Sequence, residues 1–132
     1  MSAQTAIEQS IFEITRTDPR FRAAAYHLVF EALDFTMLRL GKSKRRGSER
    51  HLTVTELLEG FRDHAIAQFG PLSRIVLSSV GIESTDDVGE VVFRLVERGL
   101  LNKQDSDTRD QFAHAFSFRE AFDEKRLARL AR

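Results

Sequence analysis

The sequence predicts an α+β fold, predominantly α, with five or six helices and one short C-terminal antiparallel β-hairpin. Three observations carry this prediction. Apolar residues recur every three or four positions through most of residues 3–98, the spacing of helix faces. Ser, Thr, Asp, Gly and Pro stand where those stretches start and stop. After Gly99 the apolar period changes to two, on either side of a polar turn. A chain of 132 residues without repeats or a low-complexity linker reads as a single globular domain across 1–132.

The elements follow in order. Ser2 is a fitting N-cap for a first helix, whose Ile7, Ile11 and Ile14 mark one face. Thr17-Asp18-Pro19 ends it. Asp18 is placed to cap a second helix, with Pro19 at its first position, where the missing N–H costs nothing. That helix, residues 19–40, carries two apolar stripes. One is Phe21, Ala25, Leu28, Ala32 and Phe35; the other is Tyr26, Val29/Phe30, Leu33, Met37 and Leu40. A surface helix shows one stripe, so two predict a central helix covered on both sides. Gly41 stops it, and residues 42–51 form a loop. Thr53 with Glu56 three places later is a capping-box pattern opening a third helix to Phe69. Gly70-Pro71 breaks that helix and starts a short fourth one carrying Leu72, Ile75 and Val76.

Ser84 is the expected cap of the fifth helix, with Asp86 and Asp87 in its first turn, where the helix dipole favours them. Gly89 inside this helix costs about 1 kcal/mol relative to Ala. Close packing of another element over it is the simplest reason. Residues 100–103 then read as a strand, 104–110 as a polar turn and 111–118 as the return strand; the alternative for Asp107-Thr-Arg-Asp-Gln-Phe112 is the start of a helix. Phe112, His114, Phe116 and Phe118 share one face of that strand. A last helix from about Arg119 carries Phe122, Leu127 and Leu130. Phe30, Leu33, Phe61, Val92 and Leu95 are the expected centre of the core.

Composition excludes several chemistries. There is no Cys, hence no disulfide, thiolate nucleophile or zinc–thiolate site. No basic segment leads into an apolar run near the start and no apolar stretch is long enough to span a membrane, so a cytoplasmic protein is expected. No phosphate-binding glycine loop, nucleophile elbow or kinase element occurs. No cofactor, metal or catalytic residue is expected. Asp105-x-Asp-x-x-Asp110 has the start of a calcium loop, but Asp110 stands where Gly is needed and Phe116 where Glu is needed. His27 and Glu31 are one turn apart, without a second such pair.

Net charge is zero but unevenly placed. Residues 39–50 hold six cations, Arg39, Lys42, Lys44, Arg45, Arg46 and Arg50, against Glu49 alone. Residues 83–110 hold eight acids against four bases, and residues 125–132 hold Lys125, Arg126, Arg129 and Arg132 with no acid. Helices followed by a hairpin give the second half a winged-helix-like order. The would-be recognition helix carries Asp86, Asp87, Glu90 and Glu97, which phosphates would avoid. The basic run is the better candidate anion or nucleic-acid contact. No aromatic is interleaved there, so any such contact would be weak and blind to sequence.

Five stretches carry a family resemblance: His51-Leu-Thr-Val-Thr-Glu-Leu-Leu-Glu-Gly-Phe61, Gln68-Phe-Gly-Pro-Leu72, Val80-Gly-Ile82, Thr85-Asp-Asp-Val-Gly-Glu-Val-Val-Phe93 and the 105–112 turn. In these the chain resembles conserved, uncharacterised bacterial proteins of about this length. The resemblance spans residues 17–122 and implies a bacterial single-domain protein. It brings no activity and no catalytic residue. The reading is therefore a non-catalytic protein-interaction or adaptor module with an unidentified protein partner. The alternative is a nucleic-acid-associated protein using the basic run and the basic C-terminus, and an enzyme comes third.

Overall fold

The computed structural model describes residues 2–43 and 51–130. Its elements are α1 (Ala3–Thr17), α2 (Ala23–Arg39), α3 (Val54–Phe69), a 3₁₀ turn (Gly70–Leu72), α4 (Ser73–Ser79), α5 (Thr85–Glu97), a second 3₁₀ turn (Arg109–Phe112), α6 (Phe118–Ala121) and α7 (Glu124–Leu130). Helix α2 packs along α3 and against α5, α1 lies on α2, and α7 covers the Gly70–Leu72 turn.

Most helix ends are written in their neighbouring residues. The Ser2 hydroxyl accepts the Thr5 N–H at 3.2 Å, and the Asp18 N–H closes α1 onto the Ile14 carbonyl at 2.9 Å. Thr53 and Glu56 form the reciprocal capping box: Thr53 Oγ1 accepts the Glu56 N–H at 3.0 Å and Glu56 Oε1 accepts the Thr53 N–H at 2.9 Å. Gly41, at φ +69°, lets the Lys42 N–H return to the Met37 carbonyl at 2.8 Å. Two expected caps differ. Asp18 does not open α2; its Oδ1 accepts the Arg20 N–H at 3.1 Å in a turn, and α2 begins four residues past Pro19. The Arg22 N–H instead reaches the Val80 carbonyl at 3.1 Å, which seats Phe21 in the core. At α5 the Ser84 side chain makes no cap bond. The buried Asp87 carboxylate accepts the Glu83 N–H at 2.8 Å and is held by Arg20.

The core gathers Ile11 and Ile14 of α1, Tyr26 and Val29 of α2, Phe61 of α3 and Leu95 of α5, with Phe21, Ile82 and Phe122 from the connections. Two glycines set its spacing. A Cβ on Gly60 would overlap the buried Thr36 hydroxyl, so α2 and α3 approach closely there. A Cβ on Gly89 would lie 2.6 Å from the Phe112 side chain, the close packing that its place inside α5 implied.

The expected β-hairpin is not formed, and the winged-helix order falls with it: among the described residues there is no strand. Residues 100–103 have no regular structure, and residues 111–118 divide into the end of a 3₁₀ turn, an irregular piece and the start of α6. The reason lies in where the backbone groups bond. Thr108 and Gln111 cap the turn reciprocally, with the Thr108 N–H on Gln111 Oε1 at 2.8 Å. The Thr85 hydroxyl donates to the Phe112 carbonyl at 2.6 Å and accepts the Ala115 N–H at 3.1 Å. Asp86 Oδ1 accepts the His114 N–H at 3.0 Å, and His114 sits at φ +50°. Side chains of α5 thus take the groups a strand partner would need. The fold is all-helical over the described residues. The expected last helix is also divided, into α6 and α7 around Phe122, and Leu130 is exposed.

Phe61 and Leu95 are fully buried as expected, whereas Phe30, Leu33 and Val92 are only partly covered. Helix α2 is covered on its Ala25–Val29–Ala32–Thr36 side and left open beside it. Phe61→Ala should cost about 3–5 kcal/mol in a reversible urea melt, the range for a large core aromatic. Gly→Ala inside an ordinary helix gains about 1 kcal/mol. Gly60→Ala should instead lose about 1–3 kcal/mol through overpacking against Thr36, and a gain in the same melt would show that the α2–α3 approach is looser than described.

Candidate functional site

The open side of α2 forms one wall of a groove. Phe30, Leu33 and Met37 stand at i, i+3 and i+7, so they line up along two turns of the helix. Leu52 and Leu57 at the start of α3 form a second wall; Val92 of α5 and Leu101 beyond it form the third. Phe93 and Phe112 contribute to the lining, their rings edge to face with centroids 6.0 Å apart. The enclosed space is about 480 Å³, a size typical of ligand and anchor-residue pockets.

Polar groups ring the mouth, and some of them hold the walls in place. Lys42 Nζ donates to the His51 carbonyl at 3.0 Å and to Glu56 at 3.2 Å, tying the end of α2 to the start of α3. Asp107 Oδ2 accepts the Gln104 N–H at 2.9 Å and fixes the turn beside Lys103. Asp34 lies on the α2 wall, exposed and without a hydrogen-bond or ion-pair partner among the described residues. Thr53 is occupied by its capping bond. The Thr53 hydroxyl lies beside the Glu56 carboxylate as part of the capping box. Among the described residues no group of three His, Asp or Glu is placed to hold a metal.

The two described members of the basic run each have a carboxylate partner. Arg39 pairs with Asp63 at 2.6 Å, and Asp63 also accepts from Arg62 at 2.9 Å. Burial pushes the Asp63 carboxyl up, but the two guanidiniums outweigh it and hold it below the ordinary carboxylate value. Lys42 is bound to Glu56. Lys44, Arg45, Arg46 and Arg50 lie outside the described residues. At the C-terminal end, Arg126 donates to the Glu120 and Ala121 carbonyls at 3.1 and 2.8 Å, while Lys125 and Arg129 are exposed. The acidic face of α5 has its own partner: Glu90 and Glu97 each accept from Arg109 at 3.1 Å, above the Phe93 ring. Glu31 turns to His64, at 3.4 Å, rather than toward a metal with His27.

Sequence reasoning placed the groove walls in the core, because apolar type and helical spacing are the same for both. One signal was present. Asp34 stands about 40° around the helix from Phe30, just beyond the edge of the Phe30–Met37–Leu33 arc, and a carboxylate there marks a border that solvent reaches. No family profile matches the chain, and no curated protein or solved structure is significantly similar to it.

The neck beside the groove should respond to acid. The Glu56 carboxyl is held below its ordinary value, first by the Thr53 N–H and then, against some desolvation, by Lys42. A depressed folded-state value adds stability above the unfolded value, lost as pH falls through the folded one. Glu56→Gln keeps the capping acceptor but loses the charge facing Lys42, and should therefore cost about 0.2–1 kcal/mol near neutrality. The gap to wild type should close as pH drops below about 4.3, the unfolded glutamate value. Urea melts at pH 7 and in acid check this, and a gap that does not change with pH would contradict it.

Proposed function

We propose that this chain is a non-catalytic protein-interaction module, and that the groove beside α2 receives apolar anchor side chains of a protein partner. The observation that carries this reading is the row Phe30, Leu33 and Met37, half-buried along two turns of α2 and lining one apolar groove. Seven residues of helix are about 10 Å, a length that one partner segment presenting two or three apolar side chains can match. Burying a large aliphatic or aromatic side chain yields about 1.5–3 kcal/mol, so a few anchors suffice for specific recognition. The groove is lined mainly by apolar side chains, which favours binding over bond-making chemistry. A nucleic-acid role gains no support from Arg39 and Lys42, whose charges face Asp63 and Glu56.

N-acetyl-leucinamide and N-acetyl-phenylalaninamide are minimal stand-ins for such anchors. Titrated into ¹⁵N-labelled protein, they should shift the amide signals of Phe30, Leu33, Val92 and Leu101 together. Leu101→Asp, outside every helix, should abolish these shifts while leaving the circular dichroism spectrum unchanged. No saturable shift at these residues, or shifts centred instead on α4 and α7, would overturn the assignment.

A further inference from the structure

We draw no further inference here: the strongest candidate, the exposed aliphatic surface around Ile75 on the outer side of α4, is bordered by Arg74 and Arg119 on one hand and Glu83 and Asp123 on the other, so its charges select no partner and nothing in the structure shows what covers it.

Discussion

Helices α2 and α3 lie as close as they do because Gly60 presents only hydrogen to Thr36. Thr36 is fully buried, and its hydroxyl is satisfied within its own helix by the Ala32 carbonyl at 2.6 Å. The contact is therefore dry and leaves no polar group unpaired. It also fixes the rotation of α2 about its axis. Ala25, Val29 and Ala32, on the same side as Thr36, must face the core. At 100° per residue, Phe30, Leu33 and Met37 are then turned to one flank. The segments around residues 51–53 and 101–107 line that flank, and the groove lies between them and α2.

A second constraint acts on charge. The sequence alone describes a dipolar surface, with a basic loop, an acidic second half and a basic tail. In the folded chain many of these charges meet partners far along the sequence. Asp18 takes Arg94 at 2.7 Å, Glu13 takes Arg98 at 3.2 Å, and Arg109 bridges Glu90 and Glu97. Each exposed pair contributes little stability, about 0–1 kcal/mol. Among the described residues these pairs set opposite charges well within a Debye length of each other, so the acidic face of α5 meets Arg94, Arg98 and Arg109 rather than presenting carboxylates alone.

What could be read in advance divides along the range of the interaction. Helix ends were legible at Ser2, Gly41 and the Thr53–Glu56 box, because caps act over three or four residues. Phe61 and Leu95 were legible as core because each sits mid-stripe in a well-delimited helix. The hairpin was misread because alternating phenylalanines are equally compatible with a turn-rich segment pinned from outside. The pins are Thr85 and Asp86, some 30 residues before the groups they bind, and no local pattern announces them. Gly89 was the single trace of that docking: its missing side chain makes room for Phe112, and Phe112 brings the whole turn onto α5. The groove was hidden for a related reason. Phe30, Leu33 and Val92 have the chemistry of core residues, and only the topology decides whether a neighbour arrives to cover them.

The same arrangement explains why the groove stays open instead of collapsing. Its walls are braced from behind. Lys42, His51 and Glu56 clamp one end. The Asp107–Gln104 turn and the capped Thr108–Gln111 turn hold the other, and Phe112 is wedged between Phe93 and Gly89. The Thr36–Gly60 contact leaves no room for α2 to rotate or shift against α3. A braced apolar groove loses little conformational freedom when it is filled, so more of the burial energy is available for association. The interaction that allows α2 and α3 to pair tightly is thus also the one that keeps an unfilled apolar surface presented to solvent, the physical condition for recognition of a partner.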